Sequence, residues 1–196
     1  MSLDTAAGQA ANAQERTIAP AVADRYARDL VERARPIGAS DRILDLGCGT
    51  GIVARVLRER LGGGANIVGV DPSLPMIEKA RLLEPELDWR VGNAMALPFA
   101  DGSFDLVLCQ EMLQFVSDRV GALHEVRRVL SPGGRFLVST WRPRSEQNLD
   151  SAALGQALTD AGFTHVRVET VSLTEVAADP SAPSAADVAT ALAPRR

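Results

Sequence analysis

The sequence has few cysteines and no long apolar run, and each absence excludes a class of protein. Its two cysteines, Cys48 and Cys109, lie far apart and in no spacing typical of a disulfide framework or a zinc site. No stretch approaches the ~18 consecutive apolar residues of a membrane span. Residues 1–15 lack the basic start and apolar centre of a secretory signal. We therefore expect a reduced, cytoplasmic protein that contacts no membrane and needs no metal ion.

The chain also lacks an excess of basic charge. It has 21 Lys and Arg residues against 25 Asp and Glu residues, which gives a formal net charge of −4. Arginines alternate with acidic residues over 55–60 and 125–128, a pattern typical of solvated helix surfaces. Because nucleic-acid-binding proteins usually carry a basic face, the sequence predicts no nucleic-acid partner.

Strands and helices alternate along most of the 196 residues, a length sufficient for one domain. A helix that buries Val22, Tyr26, Leu30 and Val31 is predicted to begin at Ile18. Short apolar runs predict strands over residues 42–46, 67–70, 87–91, 105–109, 135–140 and 165–171. The helical patterns between these strands indicate right-handed βαβ crossovers. They predict an α/β fold with a Rossmann-like, doubly wound, mostly parallel sheet.

Both ends of the chain are predicted to lie outside this domain, which spans residues 17–176. Residues 1–16 are expected to form a disordered tail. Residues 177–196 are dominated by Ala, Pro and Ser. Such a composition buries little apolar surface, so we expect this segment to stay loose.

Polar, glycine or aromatic residues follow five of the predicted strands. In chain order they are Asp45, Gly47, Gly49 and Gly51, then Asp71, then Gly92, Asn93 and Ala94, then Gln110 and Glu111, and finally Trp141. In a doubly wound sheet, ligands bind beyond the carboxyl ends of the strands, where the strand order reverses. The five strand ends therefore indicate one shared crevice.

The glycines and Asp71 favour a ligand that contains a nucleoside. Glycines let a backbone approach a ligand closely at the start of a helix, but a plain tight turn explains them equally well. Asp71 lies about twenty residues further on, at the tip of the next strand, where a carboxylate can accept hydrogen bonds from both ribose hydroxyls.

The glycine spacing disfavours a dinucleotide. The pattern G-x-G-x-x-G requires its third glycine where Ile52 stands, and Gly51 comes one place early. Asp45, just before the glycines, would repel a pyrophosphate, whereas it suits an ammonium and a sulfonium group. No Gly-Lys-Ser/Thr follows, so a P-loop is excluded.

Four segments of the chain together carry a resemblance to one known family. They are Ile43-Leu44-Asp45-Leu46-Gly47-Cys48-Gly49-Thr50-Gly51, Val70-Asp71-Pro72-Ser73 with Met76, residues 93–105 and residues 128–134. In that order they resemble motif I, the motif of the second strand, the stretch that covers the adenine and the turn before the fifth strand in the class I S-adenosylmethionine-dependent methyltransferases. The resemblance is greatest to the small-molecule group that includes the ubiquinone- and menaquinone-biosynthesis enzymes.

The resemblance implies S-adenosylmethionine as the cofactor, S-adenosylhomocysteine as its product, and a set of cofactor-binding residues. Asp45, Gly47 and Gly49 would hold the methionine part and Asp71 the ribose, with Met76 near the adenine. The implied set is Asp45, Gly47, Cys48, Gly49, Asp71, Pro72, Met76, Asn93, Ala94 and Gln110. The family often has Asp where this chain has Asn93, whose carbonyl oxygen can still accept a bond from the adenine amine.

The residues predicted to bind the acceptor carry a less specific signal than those predicted to bind the cofactor. Tyr26, Met112, Phe115 and Trp141 are candidates for an apolar acceptor pocket, and ordinary packing explains them equally well. Glu111 is a candidate for acceptor binding or proton transfer, against a solvated loop carboxylate. No catalytic residue is assigned, because methyl transfer needs a general base only where the acceptor must lose a proton.

The resemblance implies transfer of a methyl group to an O, N or C atom of a small molecule. The chain departs from the family in its short connection between the fifth strand and the last helix, and in its seventh strand, for which residues 172–176 and 187–192 are alternatives. A short cap would leave the acceptor crevice open. A regulatory or partner-binding module that binds the cofactor without methyl transfer is therefore the alternative hypothesis. Whether the protein is a monomer or a homodimer stays open.

Overall fold

The computed structural model describes residues 20–141, 151–172 and 185–194. The helices are α1 (Pro20–Arg33), α2 (Ile52–Leu61), α3 (Leu74–Leu83), α4 (Arg119–Val129) and α5 (Ser151–Asp160), with a 3-10 turn at Leu113–Phe115. The strands are β1 (Arg42–Leu46), β2 (Asn66–Asp71), β3 (Asp88–Val91), β4 (Phe104–Gln110), β5 (Leu130–Trp141), β6 (Thr164–Ser172) and β7 (Ala185–Leu192). The predicted tail of residues 1–16 lies outside the described residues.

The strands form one sheet in the order β3-β2-β1-β4-β5-β7-β6. β1 pairs in parallel with both β2 and β4, so that Leu44 lies beside Val68 on one side and Val107 on the other. The strand order reverses between β1 and β4, and the carboxyl ends of both strands meet there. The predicted doubly wound α/β fold is confirmed.

The C-terminal segment is a strand, and the expectation of a loose tail over residues 177–196 is wrong for Ala185–Leu192. β7 lies antiparallel between β5 and β6, where Ala189 pairs with Val138 and Val168. Ala189 and Ala191 are fully buried. Backbone hydrogen bonds to both neighbouring strands hold β7 in the sheet, so the strand does not depend on large apolar side chains for its stability. The alternative at residues 187–192 matches this strand.

The two faces of the sheet bury separate cores. On β4, Leu106 and Leu108 face the core shared with α1, α2 and α3, whereas Val107 and Cys109 face the core shared with α4 and α5. On α1, the predicted buried positions Val22, Tyr26, Leu30 and Val31 are all buried. None of the helices in the described part of the chain is both long and apolar enough to span a membrane.

An ion pair joins the amino-terminal ends of β1 and β4. Arg42 donates from Nε and Nη2 to the two carboxylate oxygens of Asp105, at 3.0 and 2.8 Å. The hydroxyl of Ser131 donates to the same carboxylate at 2.9 Å. The Arg42 guanidinium, with these further donors, holds the pKa of Asp105 well below its usual range.

Candidate functional site

The loop between β1 and α2 is held against the end of β2. The backbone N–H groups of Gly47 and Cys48 both donate to the carbonyl oxygen of Val70, at 2.8 and 3.0 Å. Gly47, Gly49 and Gly51 have φ angles of 69°, 53° and 83°. These angles lie in the left-handed region, which side chains disfavour, so the loop needs glycine at all three positions.

The three glycines face different surroundings. A Cβ atom on Gly47 would overlap the side chain of Met112, and one on Gly51 would overlap the ring of Trp89. A Cβ atom on Gly49 would meet nothing within 4 Å among the described residues. Gly47 and Gly51 are thus required by packing, while Gly49 leaves the loop backbone open to the crevice.

Asp71 links this loop to the one that follows β2. Its carboxylate accepts from the N–H of Gly49 at 3.0 Å and from the N–H of Ser73 at 2.8 Å. The side chain is buried, and carboxylate oxygens are acceptors of the kind that a ribose hydroxyl requires. Pro72 follows directly, and the buried Met76 lies in the first turns of α3.

Asp45 lies deeper than the glycine loop. It is 1% exposed, and its carboxylate accepts a hydrogen bond at 3.0 Å from the N–H of Ala54, in the first turn of α2. Burial raises the pKa of Asp45 to about 7, with a further contribution from the charge of Asp71. The carboxyl group therefore holds its proton to a higher pH than a carboxyl group in water does. Its predicted contact with the methionine part stays a prediction.

The residues predicted to meet the adenine follow β3. Asn93 is exposed, and its carbonyl oxygen Oδ1 accepts a hydrogen bond at 3.0 Å from the N–H of Met95. This oxygen can accept one further bond, so the structure leaves the predicted bond to an adenine amine open. Ala94 is buried beside it.

Helix α1 lies against the carboxyl end of β4, where the acceptor was predicted to bind. Gln110 donates from Nε2 to the carbonyl oxygen of Ala23 in α1, at 3.2 Å. Tyr26 of α1 is buried, and burial raises the pKa of its hydroxyl to about 12, with a smaller contribution from Glu111. Glu111 is itself buried, with φ of 57°. The interpretation of Glu111 as a solvated loop carboxylate is therefore wrong.

Two buried hydroxyls near this end of the sheet were not predicted. Ser139 and Thr140 are each 1% exposed, and neither hydroxyl has a hydrogen-bond partner among the described residues. The same is true of Gln110 Oε1, and Gln110 is the residue that pairs with Ser139 across β4 and β5. Buried polar atoms are nearly always satisfied, so Gln110 Oε1 and Ser139 Oγ mark a place for a polar ligand or water. Thr140, the next residue along β5, lies on the opposite face of the sheet. Ser139 and Thr140 both resemble ordinary strand residues in the sequence, which gives no signal for them.

The remaining predicted site residues have separate surroundings. Phe115 is 48% exposed on the 3-10 turn, and Met112 packs against the glycine loop. The side chain of Trp141 lies outside the described part of the structure.

Cys48 is buried, and burial raises the pKa of its thiol, which disfavours a nucleophilic role. Across residues 20–141, 151–172 and 185–194, no three His, Cys, Asp or Glu side chains form a group that could hold a metal ion.

Comparison with known proteins shows what the chain resembles. Residues 44–138 match a family described as a methyltransferase domain. The demethylmenaquinone methyltransferase of Thermus thermophilus is 42% identical over 109 residues, which cover 54% of this chain and 49% of that protein. The malonyl-[acyl-carrier protein] O-methyltransferase of Erwinia pyrifoliae is 39% identical over 123 residues, covering 63% of this chain and 45% of that protein. The chain thus spans less than half the length of these curated relatives.

A solved structure matches over nearly the whole chain. It comes from the Haloferax volcanii complex between the methyltransferase activator Trm112 and a methyltransferase. The TM-score is 0.72 at 26% identity, and the match covers 90% of this chain and 95% of the other.

Proposed function

We propose that the protein is a class I S-adenosylmethionine-dependent methyltransferase that methylates an O, N or C atom of a small molecule. The match of residues 44–138 to a methyltransferase domain and the similarity to named methyltransferases support this proposal. When bound, S-adenosylmethionine supplies an activated methyl group, which leaves sulfur as the acceptor attacks in line from the opposite side. The protein's contribution is to orient the two reactants and to exclude water. We place the protein in the cytoplasm, with neither a nucleic-acid nor a membrane partner.

The observation that carries the cofactor assignment is the carboxylate of Asp71 between the Gly49 and Ser73 backbones. It brings the two strand ends to one crevice, and the open side of Gly49 gives a ligand room to approach. A buried carboxylate beside an open glycine loop fits the diol of a ribose. We assign the methionine part to Asp45, Gly47 and Gly49. The other proposed cofactor contacts are Cys48, Pro72, Met76, Asn93, Ala94 and Gln110.

For the acceptor we propose the region beneath α1, with Tyr26, Glu111, Phe115 and Trp141 as contacts. Gln110 reaches α1 from the sheet. Gln110 Oε1 and Ser139 Oγ, which have no hydrogen-bond partner within the part of the chain that the structure describes, offer polar contacts there. Glu111 is the group that would take a proton from an acceptor O–H or N–H. Glu111 is buried at the end of β4, so solvent water does not compete with an acceptor for its carboxylate.

The first experiment is calorimetric titration of the protein with S-adenosylmethionine, S-adenosylhomocysteine and NAD in parallel. Micromolar binding of the two adenosyl ligands without binding of NAD is expected. Absence of binding by both adenosyl ligands would contradict the proposal. The acceptor is then sought with labelled methyl groups, first with quinols and acyl thioesters, since named relatives act on demethylmenaquinone and malonyl-acyl carrier protein.

A cofactor-binding module without methyl transfer is the second candidate. The observation that favours it is the short stretch of residues 142–150 between β5 and α5, which offers little chain to cover an acceptor. The two candidates differ in one result. Labelled methyl groups recovered in small molecules of a cell extract support the enzyme, whereas tight cofactor binding without any such transfer supports the module.

A further inference from the structure

The loop between β3 and β4, residues 92–103, carries the residues assigned to the adenine edge. Its two ends are held by backbone hydrogen bonds: the N–H of Gly92 donates to the carbonyl oxygen of Asp71 at 3.1 Å, and the N–H of Gly102 donates to the carbonyl oxygen of Arg128 at 3.0 Å. Between these ends, Asn93 accepts from the N–H groups of Met95 and Ala96, each at 3.0 Å, and Leu97 accepts from the N–H of Phe99 at 2.8 Å. The inner bonds close tight turns, but none of these hydrogen bonds attaches the middle of the loop, around Leu97, to the rest of the fold.

Helix α4 supplies that attachment through two charged side chains. The N–H of Leu97 donates to Glu125 Oε2 at 2.8 Å, and Arg128 Nη2 donates to the carbonyl oxygen of Leu97 at 3.0 Å. Arg128 Nη1 donates to the carbonyl oxygen of Phe99 at 2.7 Å and to Asp101 at 3.0 Å. Both backbone polar groups of Leu97 are thus bound by one helix.

The two side chains also bind each other. Arg128 donates from Nε and Nη2 to the two oxygens of Glu125, at 2.7 and 2.8 Å. Glu125, Arg128 and Leu97 therefore form a closed ring of hydrogen bonds, which requires the planar fork of a guanidinium. The expectation of a solvated helix surface over residues 125–128 is wrong for these two residues, because their charged groups are directed at the loop backbone.

The loop is also packed against α4. Ala94 and Leu97 are 8% and 5% exposed, and they belong to the same apolar core as Leu123 and Val126. Asn93 and Ala94 lie within four residues of Leu97, and the tight turns join them to it. A shift of the Leu97 backbone is therefore transmitted to the adenine edge.

We propose that Glu125 and Arg128 are positioning residues that fix the adenine edge of the cofactor site through the backbone of Leu97, and thereby set its selectivity for adenine. This inference rests on the proposed placement of the adenine at Asn93 and Ala94. The pair is partly buried against the loop, and its hydrogen bonds outside the pair go to Leu97, Phe99 and Asp101, so its loss acts first on the loop that it holds.

The test compares Arg128→Ala with Arg127→Ala. Arg127 is the neighbouring residue on the same helix, and it donates to the carbonyl oxygen of Ala161 at 3.2 Å rather than to the loop. The ligands are S-adenosylhomocysteine and S-inosylhomocysteine, which differ at the 6-position of the base. In Arg128→Ala we expect affinity for the adenine ligand to fall ~10-fold and affinity for the inosine ligand to fall much less. In Arg127→Ala the ratio of the two affinities stays as in wild type.

Two conservative variants keep the test decisive if Arg128→Ala does not fold. Arg128→Lys keeps the charge without the fork, and Glu125→Gln keeps an oxygen for the Leu97 N–H while losing the ion pair. We expect both to lose selectivity in part, with faster hydrogen exchange of the Leu97 amide. A folded variant with wild-type selectivity and a protected Leu97 amide would overturn the inference, as would equal wild-type affinity for the two ligands. Absence of S-adenosylhomocysteine binding by wild type would instead contradict the proposed function.

Discussion

The carboxylate of Asp71 accepts a hydrogen bond from the N–H of Gly49 at 3.0 Å, across 22 residues of chain. Its other oxygen accepts from the N–H of Ser73 at 2.8 Å. One side chain therefore fixes the loop after β1 relative to the loop after β2. Asp71 organises the proposed cofactor site in addition to offering it a carboxylate.

Replacing Asp71 by Ala is expected to weaken binding of S-adenosylhomocysteine by ~1.5–3 kcal/mol, because hydrogen bonds to a charged group are lost. Calorimetric titration measures the change. Asp88→Ala is the control, since Asp88 is exposed on β3 and pairs with Arg90. Wild-type affinity in Asp71→Ala would refute the ribose assignment.

Replacing Gly49 and Gly51 in turn by alanine should affect cofactor affinity and folding stability to different degrees. Each variant bears the strain of a positive φ, which costs roughly 1–2 kcal/mol. Gly51→Ala also places a methyl group into the Trp89 ring, so its urea midpoint should fall further than that of Gly49→Ala. Gly49→Ala directs its methyl group into open space and should chiefly lower cofactor affinity. Equal stability of the two variants would show that Trp89 yields to the added methyl group.

The buried carboxyl of Asp45 should make the protein less stable as the pH rises. Its pKa is raised from 3.8 to about 7, so the folded state binds a proton that the unfolded state releases above pH ~4. The contribution of this proton to the free energy of unfolding is fully present below pH ~4 and is lost by about pH 7. Asp45→Asn removes this dependence, and its free energy of unfolding should exceed that of wild type by more at pH 8 than at pH 5. Urea denaturation at both pH values measures the difference.

Asp105 should show the opposite dependence on pH. Its pKa is lowered by Arg42, so its contribution is present above the unfolded pKa of ~4 and is lost as the pH falls below it. At pH 7 we expect Asp105→Asn to cost about 1–2 kcal/mol, reduced by solvent screening because the side chain is 33% exposed. If the free energy of unfolding of Asp105→Asn stayed below that of wild type by the same amount down to pH 3, packing rather than the ion pair would be responsible.

The sequence predicted the features that depend on local patterns. The apolar runs of the first six strands and the glycine loop were identified because their signals lie within a few consecutive residues. β7 was predicted only as one of two alternatives, within a segment expected to be loose, because its small residues are buried by strands β5 and β6, which its composition does not show. The burial of Glu111 depends on α1 and the strand ends, and the loop contacts of Arg128 depend on a segment 27 or more residues away. Neither could be inferred from its own neighbours in the chain.

The position of β7 has a consequence for the order in which the fold forms during synthesis. The strands whose ends form the proposed cofactor crevice, β1, β2 and β4, all precede residue 111, whereas β7 begins at residue 185 and pairs with both β5 and β6. The crevice therefore leaves the ribosome well before the strand that completes the sheet. Because β5 keeps one edge unpaired until β7 arrives, the nascent chain carries an open β-edge beside a nearly formed binding site, where a chaperone or another chain could bind.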